Sequence, residues 1–116
     1  MTNEIRQRLL DVLLSCRAIS RYTAGRDFDA FERDEMVRDA VERRLGIIGE
    51  ALNRAASLDP ALVTQIPEVR QIVGLRNRVI HGYDAVDDEI VWDVVANKLP
   101  TPYVKVEKLL GEGDQP

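Results

Sequence analysis

Residues 34–58 read Asp34-Glu-Met-Val-Arg-Asp-Ala-Val-Glu-Arg-Arg-Leu-Gly-Ile-Ile-Gly-Glu-Ala-Leu-Asn-Arg-Ala-Ala-Ser-Leu58. Val37, Val41, Leu45, Ile48, Leu52 and Ala55 recur at spacings of three and four, a near-heptad seam that only a helix lines up on one side. Asp34 has the side chain of an N-cap. A helix this long, with one continuous apolar seam, sets the architecture as helix packed on helix. Gly46 and Gly49 fall inside it although each costs about 1 kcal/mol relative to alanine in a helix interior. They predict a close approach there, by a neighbouring helix of the same subunit or by a second copy of the chain.

The flanking sequence continues the pattern. Ile5, Leu9, Val12, Leu13, Cys16 and Ile19 make an amphipathic helix from about Asn3 to Ala24, capped by Thr2 or Asn3 and ended by Gly25. Arg6, Arg8, Arg17 and Arg21 lie off its apolar stripe and read as a solvated face, with an RNA-contacting face as the alternative. Residues 25–33 read as a connection with one helical turn. Asp59-Pro60 starts a short helix, and Pro67 starts another that runs to His81 and buries Ile72, Leu75, Val79 and Ile80. Asp87 or Asp88 caps a later helix through Ile90, Val91, Val94, Val95 and Leu99. Pro100 and Pro102 are expected to break or kink it, with a helix resuming over 103–110. The expectation is an all-α, up-and-down bundle of four to five helices over residues 1–110, followed by a disordered C-terminal tail over 111–116.

Composition narrows the function classes. Apolar residues make up 45% and charged residues 31%, ordinary values for a globular domain. The single cysteine, Cys16, rules out an internal disulfide, fits a cytoplasmic location and reads as a small buried hydrophobe. No apolar run approaches the ~20 residues a membrane helix needs. The net charge of −4 is uneven: thirteen basic residues face twelve acidic ones through Tyr83, against three and eight beyond it. The acidity is mostly C-terminal, so a local nucleic-acid contact remains compatible with it, whereas a broad basic groove does not.

Chemistry concentrates in Ile72–Tyr83, which holds the only histidine, His81, with Arg76, Asn77, Arg78 and Tyr83. Asn77 and His81, four apart, share a helix face, so the amide can orient the imidazole. Arg76 and His81, five apart, stand about 140° from each other around a regular helix. For both to act on one substrate, the helix must end or bend near His81, for which Gly82 is suited, or a two-fold related second chain must complete the site. Metal-independent RNA cleavage needs a base for the 2′-hydroxyl, an acid for the leaving oxygen and a cation for the phosphate. One histidine cannot serve as both acid and base, but two copies in a dimer can. An imidazole near a helix C-terminus favours its protonated form. Arg76 offers planar paired donors to phosphate oxygens, and Arg78 is a further candidate phosphate contact. The competing structural reading has His81 capping a helix end and Arg76 paired with a carboxylate.

Asp84, Asp87, Asp88 and Glu89 cluster, but they project to different sides of a helix and have no second histidine beside them. Capping explains them better than a metal does, and no metal or other cofactor is expected. No glycine-rich phosphate loop is present, so nucleotide chemistry would belong to a partner.

The spacing Arg76-Asn77, then His81-Gly82-Tyr83, resembles the Arg-x4-His-x-Tyr motif of the HEPN superfamily, most closely its HepT-like (DUF86) toxins. Arg43-Arg44-Leu45-Gly46-Ile47-Ile48-Gly49-Glu50-Ala51-Leu52 and Asp88-Glu89-Ile90-Val91-Trp92 are similar to two further segments of that family in the same order. The resemblance extends over most of residues 1–110. It implies a HEPN-like bundle and an endoribonuclease toxin in which Arg76 and His81 carry catalysis with Asn77 in support. It further implies a homodimer, an RNA substrate, and a minimal nucleotidyltransferase antitoxin that adenylylates Tyr83. The same resemblance accommodates a non-catalytic module that docks the nucleotidyltransferase.

Overall fold

In the computed structural model the described residues are 1–81 and 87–114, with backbone alone for 76–81 and 112–114. The first helix, α1 (Asn3–Thr23), starts where Thr2 Oγ1 accepts the Ile5 amide at 3.2 Å. It stops before Gly25, whose φ of 73° lies in the left-handed region that an L side chain resists. A six-residue helix, α2 (Phe28–Arg33), follows behind the cap of Asp27, which accepts the Ala30 amide. Asp34 then caps α3 (Glu35–Leu58) by accepting from the Val37 amide at 3.2 Å.

The seam expected along α3 is the centre of the molecule. Val41, Leu45, Ile48, Leu52 and Ala55 are all essentially inaccessible, and α3 lies between α1 on one side and α5 on the other. From α1, Leu9, Val12 and Ile19 meet it. Each such aliphatic side chain withdrawn from water contributes about 1.5–3 kcal/mol, so the α1–α3 contact is a main source of the core's stability. Gly46 is half-buried, and among the described residues nothing lies within 4 Å of where its Cβ would stand. The close approach expected there is therefore not made at Gly46 by the described part of the same chain. Gly49 is buried in the seam.

After α3 the chain reverses through α4 (Ala61–Gln65), with Asp59 Oδ1 accepting the Ala61 amide at 3.2 Å. The next helix, α5 (Val69–His81), is fixed to the core by Val69, Ile72 and Leu75. Asp87 caps α6 (Asp88–Asp93) by accepting the Glu89 amide at 2.9 Å. Trp92 of α6 then packs on the fully buried Phe31 of α2, with ring centroids 5.2 Å apart.

Two differences from the sequence reading appear beyond α6. The chain passes through a π turn (Val94–Lys98), in which the Leu99 amide reaches back five residues to the Val94 carbonyl at 2.9 Å, and α7 (Pro100–Asp114) begins at once. The expected break falls at Leu99, but the helix resumes at Pro100, not at 103: Pro100 and Pro102 occupy the first turn of α7, which uses no intrahelical N–H. The helix also continues to Asp114, past Gly111 where a disordered tail was expected to begin. The four long helices α1, α3, α5 and α7 form the bundle, and α2, α4 and α6 are short connectors. The described residues contain no strand, and no helix among them is long and apolar enough to cross a membrane.

Candidate functional site

Arg76, Asn77, Arg78 and His81 all lie on α5, whose helical backbone is described through His81. The helix is regular as far as it is described, so no bend before His81 brings positions 76 and 81 to one face. In helical register, position 76 follows Ile72 by one turn and position 81 stands about 140° round the axis from it. The side chains of these four residues, and Tyr83 altogether, lie outside the described residues. The expected pairing of Asn77 with His81 and the role of Tyr83 fall in the same range.

The start of α6 is described, and there the sequence reading named Asp88 as a cap candidate without anticipating its partner. Asp88, the first residue of α6, pairs with Arg38 in the first turns of α3 at 3.8 Å, both side chains about a quarter exposed (27% each). The Arg38 guanidinium also donates to the Glu32 carbonyl in α2. One arginine therefore ties α2, α3 and α6 together. Glu42, one turn beyond Arg38, has its carboxyl pushed above the ordinary carboxylate range. Partial burial is the main cause, followed by Asp39 and Asp88, with Arg38 pulling the other way. An i,i+4 Arg–Glu spacing on α3 was visible in the sequence. Its link to Asp88, fifty positions away, was not.

Just before α5, Glu68 receives Lys105 Nζ of α7 at 3.0 Å. Partial burial would raise its pKa, but the Lys105 hydrogen bond and charge outweigh it and hold the carboxyl below its ordinary value. That pair anchors the start of α5, while the Arg38–Asp88 pair joins α3 to α6. Asp87 is engaged as the α6 cap, as its position in the sequence predicts. Among the described residues no group of three or more histidine, cysteine, aspartate or glutamate side chains is placed to hold a metal ion.

A second feature lies away from α5. A cleft of about 480 Å³ opens between the last turns of α1 and the π turn leading into α7, with Cys16, Ile19 and Leu99 among its lining residues. Burial pushes the Cys16 thiol up to about 12, so it stays neutral and acts as a small apolar side chain. On the rim, Arg17 Nε donates to Tyr103 Oη at 3.1 Å, and the Tyr103 hydroxyl donates to Glu107 at 3.3 Å. Arg17 was assigned to a solvated face from the sequence. Its hydroxyl partner is 86 residues away, and no local pattern announces it.

The fold and the Arg-x4-His helix define the class: an all-α bundle whose third long helix carries the polar motif. A family model described as Ribonuclease HepT-like matches residues 12–109, and the chain belongs to that family. It is similar to the protein named "Putative RNase MJ0127" of Methanocaldococcus jannaschii, with 32% identity over 109 residues covering 92% of this chain and 88% of that one. It is also similar to "Probable ribonuclease HepT" of Thermococcus cleftensis, 33% identical over 101 residues, or 87% of this chain and 91% of the relative. No solved structure gives a significant match.

Proposed function

We propose that this protein is a metal-independent endoribonuclease in which Arg76 and His81 act on an RNA phosphodiester. Family membership over residues 12–109, a span that includes the whole motif, is the observation that carries this reading. Arg76 supplies paired donors to the phosphate oxygens, His81 transfers protons, and Asn77 orients the imidazole. Arg78 is a secondary phosphate contact. Because a single chain has one histidine and its two key positions diverge around α5, the acid and the base come from two copies in a homodimer. The open surface at Gly46, clear of the described part of the same chain, is compatible with a partner there.

In this reading the enzyme is the toxin of a two-component pair acting in the cytoplasm. Its antitoxin is a small nucleotidyltransferase that transfers AMP to Tyr83. A phosphodiester-linked AMP beside Arg76 and His81 adds negative charge and a base where RNA has to sit, which blocks substrate entry.

The primary test is cleavage of RNA in EDTA by the wild type and by Arg76→Ala and His81→Ala with helical content unchanged. Activity in the wild type and loss in both variants supports the assignment; equal cleavage by all three removes it. Intact mass after incubation with ATP and a cognate nucleotidyltransferase tests the modification. An increase by whole AMP units that Tyr83→Phe abolishes is expected, and an unchanged mass counts against Tyr83 as acceptor.

A further inference from the structure

The cleft between α1 and the π turn has features that packing alone does not explain. Its lining is apolar at Cys16, Ile19 and Leu99, each less than a tenth exposed. Its volume, about 480 Å³, falls in the ~300–1,000 Å³ range of small-ligand sites. One wall is the ring of Tyr103, whose hydroxyl is held between Arg17 and Glu107, so the ring is fixed in orientation before any ligand arrives. Arg17 and Arg21 also line the cleft, one turn apart on α1. Like charges at that spacing repel mildly on a helix. Arg17 is partly compensated by Glu107 at 3.5 Å, while Arg21 is exposed and makes no hydrogen bond or ion pair with the described residues. Finally, Val95 in the cleft wall belongs to the π turn, a costly departure from regular helix that frequently marks functional sites.

An apolar floor, a fixed aromatic wall and two guanidinium groups at the rim suit a flat ring that carries an anion. We infer that this cleft binds one nucleotide unit, the base resting on the apolar floor against Tyr103 and the phosphate meeting Arg21 and the free edge of Arg17. Base–aromatic stacking with arginine at the phosphate is the usual way a protein holds single-stranded nucleic acid without reading its sequence. A net charge of −4 makes discrete contacts of this kind more important than a general field. Resting on the ribonuclease reading, the nucleotide belongs to the RNA strand outside the cleaved bond, so the cleft governs affinity and leaves the chemical step alone. A free mononucleotide has the same chemistry and is the other source.

The test uses the full chain and a 2′-O-methyl oligoribonucleotide, which lacks the free 2′-hydroxyl needed for cleavage, with binding followed by fluorescence anisotropy over a range of salt. Arg21→Ala, a change at an exposed position, should weaken binding about three- to tenfold and reduce the slope of log K against log salt by about 0.7, the value for one lost phosphate contact on a single strand. Tyr103→Leu should weaken it at least fivefold by removing a stacking ring. Tyr103→Phe, which keeps the ring, should restore most of the affinity and thereby separate stacking from a general loss of fold. In a parallel arm, 5′-AMP is titrated alone. Binding of AMP that Arg21→Ala abolishes, with oligonucleotide affinity unchanged, assigns the cleft to a free nucleotide. Wild-type affinity and salt slope in Arg21→Ala and Tyr103→Leu, together with no AMP binding, overturn the inference. Because the oligonucleotide cannot be cut, a wild type that binds it through these residues but cleaves no RNA would sink the nuclease assignment and leave the cleft standing.

Discussion

Helices α3 and α5 pack against each other, yet they use their residues differently. On α3 the inward row is apolar from Val41 to Ala55, and each of Val41, Leu45, Ile48, Leu52 and Ala55 is buried. On α5 the described apolar row is Val69, Ile72 and Leu75, and the next six residues of the sequence add Arg76, Asn77, Arg78 and His81 around Val79 and Ile80. A helix that only needs to be stable has no reason to collect two guanidinium groups, an amide and the chain's only imidazole in six residues. In the proposed reading, stability lies with α1 and α3 and chemistry with the second half of α5; Lys105–Glu68 anchors the start of α5, and Arg38–Asp88 joins α3 to α6. Stability and activity should therefore respond to different substitutions.

The largest effect is expected at the motif. Arg76→Ala and His81→Ala should each lower the rate of RNA cleavage about 10²- to 10⁴-fold, the usual worth of a positioned proton-transfer or charge-stabilising group. The opposite profile is expected from Ile48→Ala in the α3 seam. It should destabilise the fold by about 2–5 kcal/mol, read as a lower midpoint in urea with unchanged slope, while the molecules still folded retain their cleavage rate. A variant that damages both properties equally would erase the division between the helices.

Gly46 offers a subtler way to sharpen it. Space for a Cβ exists among the described residues, so Gly46→Ala should stabilise the monomer by about 1 kcal/mol through helix propensity. If sedimentation then shows a weakened dimer, α3 also supplies the subunit contact.

The smallest effect concerns Glu42. Its raised pKa means that the folded state favours the protonated carboxyl, so its contribution to stability is full below the unfolded-state value near 4.5 and is lost as pH rises through the raised one. Glu42→Gln should therefore melt slightly above the wild type at pH 7, and this gap should close below pH 4.5. A constant gap across that range would place the effect in packing.

How much of this was legible in the sequence follows from the range of the interactions. Thr2, Gly25, Asp34 and Asp87 act on amides or turns within a few residues, so the ends they set could be read directly. The seam of α3 was legible because one period runs uninterrupted for about five turns. The break before Pro100 was legible, but the next helix was placed three residues late because proline has the same local signature when it breaks a helix as when it opens one. What settles the matter is the π turn upstream, and no residue type specifies that turn. The candidate motif was legible as a dense set of polar groups, sharpened by resemblance to a known family. Its surroundings were not. Arg38–Asp88 and Arg17–Tyr103 are contacts between distant segments, fixed only once α6 and α7 have packed.

The most direct measurement pairs two readings on one protein: the thermal midpoint of His81→Ala and its rate of RNA cleavage in EDTA, each beside the wild type. The midpoint should stay within about a degree of the wild type, and cleavage should fall at least a hundredfold. A variant that cleaves normally, or one whose lost activity is matched by an equally large loss of stability, would contradict that expectation.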